Sequence, residues 1–231
     1  MDIIGLLKYV LPEYASDFEQ GKLFMQNIEY YKDKEITDEL IKDIDEGIIF
    51  HEKNPDNYLM FFQVGDGEIH HLKNLKTLRH SKWKTDIEEI KINCFTIITS
   101  DDIEPIEDGL YKLKTAYLDS LPPYSEKRFV YITIKPNHFV NTIKNLLKEE
   151  NLASYQMRPV EYFDTKHPLF DNFYNIDNTL DTVFHKPNLY KSQREFRIAV
   201  YGYIKQSITY NKYSDIWTKI DDLRNIRINP Y

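Results

Sequence analysis

The sequence predicts a mixed α+β fold, a mainly antiparallel sheet with helices at its margins, built as a single domain over residues 1–231. Three observations lead there. Runs of β-branched and aromatic residues recur along a chain of which 14% is Phe, Trp or Tyr. Between them stand a few segments whose apolar residues fall at helical spacing. Only seven glycines occur, and no repeat, Gly/Ser linker or low-complexity tract divides the chain. The one break in texture is Leu121-Pro122-Pro123-Tyr124, where two prolines mark a connector and a candidate hinge.

Taken in order, Leu6 to Val10 reads as a strand, Glu13 to Gln20 as a short helix ended by Gly21, and Lys22 to Ile28 as a second strand. Residues 36–46 are acidic and helical or looped, and Ile48 to His51 starts another extended piece. Tyr58 to Val64 and Glu68 to Leu72 flank Gly65-Asp66-Gly67, whose glycines accept positive φ, so this reads as a hairpin. Ile90 to Ile98 follows as a core strand. Ile106, Leu110, Leu113, Tyr117 and Leu121 recur at helical spacing and predict a helix over Pro105 to Ser120. Arg128 to Ile134 is strand-like. Phe139, Val140, Ile143, Leu146 and Leu147 then make one apolar stripe, a helix opened near Asn137. Tyr155 to Tyr162 reads as extended, Asn178 to His185 as helical, and Glu195 to Tyr203 and Ser207 to Tyr210 as strands.

Composition removes several functional classes. Lys and Arg total 30 against 37 Asp and Glu, a net charge of −7, so the average surface repels a phosphate backbone. Nucleic-acid binding would need a local basic patch, and the best stretches are Lys73 to Lys84 and Lys186 to Arg197. Such runs are more often solvated faces. No apolar run is long enough to span a bilayer. The N-terminal segment lacks a basic leader and a small-residue cleavage site, which predicts a protein that stays in the cytoplasm. A lone cysteine, Cys94, fits a reducing compartment and excludes thiolate metal clusters.

The motifs narrow the chemistry further. None of the seven histidines forms an H-E-x-x-H or H-x-H pair, and no phosphate-cradling glycine loop of the kinase or Rossmann type occurs. No metal site is predicted. Pro55-Asp56 with Glu89-Ile90-Lys91 matches the letters of a Mg²⁺ nuclease, a pattern short enough to arise by chance. Cys94 sits in an apolar run with no base nearby in sequence, so it reads as a buried structural thiol. The most informative stretch is Leu189 to Val200. On a strand there, Glu195 and Arg197 share one face and Phe196, Ile198 and Val200 the other, so a carboxylate and a guanidinium point together while the apolar side packs. Its plainer reading is an ion pair on an exposed face.

Several short anchors carry a family resemblance: Leu7-Lys8-Tyr9, then Gly21-Lys22-Leu23-Phe24-Met25-Gln26-Asn27 with Tyr30-Tyr31, then Asp45-Glu46-Gly47, Cys94-Phe95-Thr96, and Tyr190-Lys191-Ser192 with Glu195-Phe196-Arg197-Ile198. In this order they resemble a broad group of bacterial and phage proteins, some linked to abortive infection and phage defence. The opening also looks like the start of ADP-ribosyltransferase-type domains. That resemblance implies an ADP-ribosyltransferase-like fold, NAD as co-substrate, and transferase or NAD glycohydrolase chemistry. It implies Glu195 as the catalytic carboxylate, with Lys8 or Tyr9, Tyr30, Thr96 and Arg197 around the dinucleotide, Thr96 or Ser100 taking the middle-strand position and Tyr30 stacking on nicotinamide. The sequence departs from that pattern in having no S-T-S triplet or E-x-E pair, and Arg197 stands where a second Glu is expected. The functional expectation is a phage–host conflict protein, either a defence effector acting as a toxin or a phage counter-defence factor with a host or phage protein as target. The alternatives are a non-enzymatic protein-binding inhibitor whose aromatic, acidic surface occludes a partner, or a nucleic-acid mimic, and a metal-dependent nuclease using Asp56, Glu89 and Lys91.

Overall fold

The computed structural model describes residues 2–32, 48–52, 60–63, 65–72, 78–81, 89–107, 109–121, 128–152, 154–164, 179–210 and 213–230. The described strands are β1 (Ile3–Val10), β2 (Lys22–Phe24), β3 (Gln26–Asn27), β4 (Ile48–Glu52), β5 (Met60–Phe62), β6 (His70–Leu72), β7 (Leu78–Ser81), β8 (Ile90–Thr99), β9 (Ile103–Glu107), β10 (Leu110–Leu113), β11 (Phe129–Thr133), β12 (Tyr155–Pro159), β13 (Glu161–Phe163), β14 (His185–Pro187), β15 (Glu195–Tyr201), β16 (Ser207–Thr209) and β17 (Thr218–Ile220). The α-helices are α1 (Pro12–Glu19), α2 (Thr115–Ser120), α3 (Pro136–Glu149) and α4 (Tyr213–Ile216). The fold is mixed α+β and mostly antiparallel. Its main sheet has seven strands in the order β12-β15-β8-β1-β11-β17, with β3 also paired to β8.

Strand alternation sets two layers against this sheet. Leu6, Phe95, Ile97, Phe196, Ile198 and Val200 point to one side, where α3 lays down Phe139, Ile143 and Leu147 at helical spacing. Phe139 and Trp217 stand 5.1 Å apart edge to face, and Phe95 is 5.1 Å from Phe139. Aromatic contacts of this geometry add about 1 kcal/mol each to the burial of the rings. The helix α1 joins the same layer through Ala15 and Phe18. On the opposite side Ile90, Ile92 and Ala199 pack against Ile28, Leu180, Val183 and Phe184.

Gly21 ties α1 to this frame. Its φ of +81° lies in the left-handed region, and a Cβ there would fall 2.0 Å from the Tyr210 carbonyl oxygen. The close approach lets the Tyr210 N–H donate to the Gly21 carbonyl at 2.9 Å, next to the β2–β16 pairing.

Several expectations need correction. Residues 105–120 are not one helix: β9 and β10 pair antiparallel across Gly109, whose φ is +75°, and only Thr115–Ser120 is helical. Gly109, free to take a positive φ, outweighs the apolar spacing. Lys22 to Ile28 is not one strand but β2 and β3 separated by Met25, followed by a 3₁₀ turn over Ile28–Lys32. The helix expected to open near Asn137 is present as α3, with Pro136 at its first position, where its fixed φ suits the helix. Residues 179–184 form a 3₁₀ helix. The segment from Lys186 to Arg197 is not a solvated basic face, because Lys186 and Arg197 are each 2% exposed. The hairpin around Gly65 is present as β5 and β6. The expectations for residues 36–46, for Pro122 to Tyr124 of the hinge, for Asp56 and for the lysines of Lys73 to Lys84 lie outside the described residues.

Candidate functional site at a break in the sheet

Strand pairing between β1 and β8 runs from Ile3–Thr99 to Leu7–Thr96 and stops there, although both strands continue. Farther along the same edge of β8, β3 pairs with Ile92 and Lys91. The intervening edge, Asn93 to Phe95, is reached by a side chain instead of a strand. Lys8 Nζ donates to the Cys94 carbonyl and to Asn93 Oδ1, both at 2.8 Å, and lies 4.9 Å from the centre of the Phe95 ring. Asn93 in turn donates through Nδ2 to the Phe24 carbonyl at 2.6 Å. A cavity of about 640 Å³ opens at this break, within the range typical of small-molecule sites.

Because the sheet is interrupted, residues from both of its faces line the cavity. Register places Thr96 opposite Glu195 and Cys94 opposite Arg197 on one face. Lys8, flanked by Leu6 and Val10, belongs to the other, with α1 and β2. Five cationic side chains (Lys8, Lys22, Arg128, Lys186 and Arg197) and two carboxylates (Asp17 and Glu195) line it, a positive surplus on a chain of net charge −7.

Glu195 is the centre of the buried charge. Lys186 Nζ donates to its Oε1 at 2.9 Å and Arg197 Nε to its Oε2 at 2.6 Å. Lys186 also donates to Gln193 Oε1 at 2.6 Å, and Arg197 Nη1 to the Val183 carbonyl. Burial alone would push the Glu195 carboxyl up, but the Arg197 and Lys186 charges outweigh it and hold the group at about 2, so it is ionised at neutral pH. Tyr162 Oη accepts from the Glu195 N–H at 2.9 Å and keeps its own proton, because burial and the Glu195 charge raise its pKa. Burial, with Arg128 adding to it and Glu195 opposing it, pulls the Lys8 ammonium down to about 8.

Six of the residues singled out from the sequence line this one cavity: Glu195, Lys8, Tyr9, Tyr30, Thr96 and Arg197. Thr96 and Arg197 are buried, Tyr9 is half-buried with its phenol raised by desolvation, and Tyr30 is exposed and edge-on to Tyr31 at 5.7 Å. Ser100 lies past the end of β8, its N–H donating to the Asp2 carbonyl, and is not part of the lining. Glu195 and Arg197 do share a face, as alternation requires, but as a buried cluster and not an exposed pair. Sequence reasoning missed Lys186, Gln193, Asn93, Tyr14 and Phe24. For Lys186 the available signal was its place in a charge run shared with Glu195 and Arg197; nothing local marks the others.

Cys94 is half-buried on the cavity wall and not fully buried as expected, yet desolvation still pushes its thiol up to about 12. Lys91 Nζ donates to the Ile204 and Lys205 carbonyls. Among the described residues no group of three or more His, Cys, Asp or Glu side chains is placed to hold a metal ion, and no helix is long and apolar enough to cross a membrane. No protein-family model, curated protein or solved structure matches the chain.

Proposed function

We propose that the chain is an NAD-consuming effector of phage–host conflict, with an ADP-ribosyltransferase-like fold and Glu195 as the catalytic carboxylate. The observation that carries this reading is the convergence of Lys8, Tyr9, Tyr30, Thr96, Glu195 and Arg197 on one cavity at the break in the sheet. The positive surplus there suits the pyrophosphate of a dinucleotide, and the aromatic side chains suit its rings. In the reaction, the bond between ribose C1′ and the nicotinamide nitrogen breaks, its electron pair leaves with nicotinamide, and water or a nucleophile of the target captures the oxocarbenium-like ribosyl carbon and loses a proton.

Glu195 enters this step in a specific way. A carboxylate has about four acceptor positions. Lys186 and Arg197 each occupy one. Glu195 therefore acts as a hydrogen-bond acceptor for the ribose hydroxyls, oriented by its two cations, and less as a bare counter-charge for the ribosyl cation. Lys186 and Gln193 hold the geometry around it, and Asn93 holds Lys8.

The test is expression of wild type, Glu195→Ala and Tyr30→Ala in bacteria, following growth and cellular NAD with and without phage. NAD depletion or a modified macromolecule with wild type, lost in Glu195→Ala and reduced in Tyr30→Ala at matched soluble protein, supports the reading. Unchanged NAD with all three removes catalysis and leaves the protein-binding inhibitor, to be sought by capture of its partner.

A further inference from the structure

Two large aromatic side chains stand out of the apolar layer at one end of the cavity. Tyr14, one turn before the buried Phe18 on the same flank of α1, is 55% exposed, and Phe24, at the end of β2, is 50% exposed. Their rings are 6.3 Å apart at the centres and inclined by only 11°. Both line the cavity that Glu195 lines. Two exposed rings lying nearly parallel in the lining of one cavity offer flat apolar surface that a planar ring can cover.

The position matters as much as the exposure. Tyr14 and Phe24 come from α1 and β2, on the α3 side of the sheet, whereas Glu195 faces the other side. Lys8 sits between, in the gap that the missing β1–β8 pairing leaves. A ligand reaching from Glu195 to Tyr14 and Phe24 thus passes the Lys8 ammonium on the way. That sequence of surfaces, acceptor, cation, then flat aromatic, matches a ribose, a phosphate and a base.

We propose that Tyr14 and Phe24 form a stacking platform for the base of a nucleotide that threads the break in the sheet, the adenine end in a dinucleotide whose other ribose lies at Glu195. This rests on the nucleotide reading given above. The platform reads a planar ring and not its hydrogen-bonding edge, so it favours any base-bearing phosphate over a sugar phosphate without a base.

Titration calorimetry of the full chain with ADP-ribose, AMP and ribose 5-phosphate tests it, using wild type, Tyr14→Ala, Phe24→Ala and Phe24→Tyr. Both alanine variants are expected to weaken ADP-ribose and AMP about tenfold, the usual scale for one stacked base, and to leave ribose 5-phosphate unchanged. Phe24→Tyr keeps wild-type affinity. Equal affinities for ADP-ribose in wild type and both alanine variants overturn the platform alone, as does an equal loss for ribose 5-phosphate. A wild-type protein that binds none of the three probes overturns the nucleotide reading and the platform with it.

Discussion

Arg194 donates Nη1 to Asp102 Oδ1 at 2.8 Å and Nη2 to Asp102 Oδ2 at 2.5 Å, a bidentate pair joining positions 92 residues apart. Arg194 is also one of two non-glycine residues among those described with positive φ, at +48°. A left-handed backbone at such a residue costs about 1–2 kcal/mol. The guanidinium lies over the Tyr117 ring at 4.9 Å, and the Arg194 carbonyl accepts from the Ile97 N–H at 2.8 Å. Asp102 accepts as well from the Thr99 N–H and hydroxyl. The residue that follows this clamped turn is Glu195, so Asp102 fixes the point at which β15 enters the cavity.

Replacing Asp102 with Ala is therefore expected to destabilise the protein by roughly 3 kcal/mol, from the loss of a largely buried ion pair together with the cap at Thr99. Urea denaturation measures it. A loss below about 1 kcal/mol would mean that the turn before Glu195 is held by its neighbours without Asp102.

The Glu195 carboxyl is held down at about 2, against 4.5 for a free side chain. Its contribution is fully present above about pH 4.5 and is lost as pH falls toward 2, because the unfolded chain takes up the proton first. The shift corresponds to roughly 3 kcal/mol. Glu195→Gln should lower stability at pH 7 and flatten its decline between pH 4.5 and 2. Parallel acid titrations of the two proteins would contradict this.

Lys8 has the opposite sign. Its ammonium titrates near 8 in the folded chain and 10.5 in a free side chain, so the unfolded chain holds more protons between those values. Stability gains from this group as pH rises from 8 to 10.5, by about 2 kcal/mol once its half-buried position is allowed for. Lys8→Met should remove that gain. The same titration predicts that anion binding in the cavity weakens above pH 8 in wild type, and a flat binding profile from pH 7 to 9 would refute it.

Cys94 should resist alkylation. With its thiol raised to about 12 by burial, iodoacetamide at pH 8 is expected to label the folded chain at least tenfold more slowly than the chain in urea. Comparable rates would show the thiol to be more accessible and more acidic than its surroundings imply.

Much of the sheet was legible because its central strands obey simple alternation. Residues 195–201 set Phe196, Ile198 and Val200 on one side and Glu195 and Arg197 on the other, and the structure keeps that division while burying both sides. The helix over 136–149 was equally plain from Phe139, Ile143 and Leu147. Residues 105–120 failed because a helical repeat of apolar residues also fits a hairpin followed by one helical turn, and Gly109 decides between them. Lys186 escaped notice as part of the site because charge runs ordinarily face water; only the tertiary fold brings it within 2.9 Å of Glu195. Tyr14 and Phe24 are ten residues apart and mark nothing locally until α1 turns back on β2.

The end of strand pairing at Leu7 and Thr96 has a mechanical side. Across that line the two parts of the sheet, β12-β15-β8 and β1-β11-β17, are joined by backbone bonds at one end and by the Lys8 side chain at the other. The shared core on the α3 side spans the line, with Leu6 and Tyr131 of one half packed among Phe95 and Phe196 of the other. A molecule seated at the break therefore touches both halves at once, since β1 lines the cavity from Leu7 to Val10 and β8 from Ile92 to Thr96.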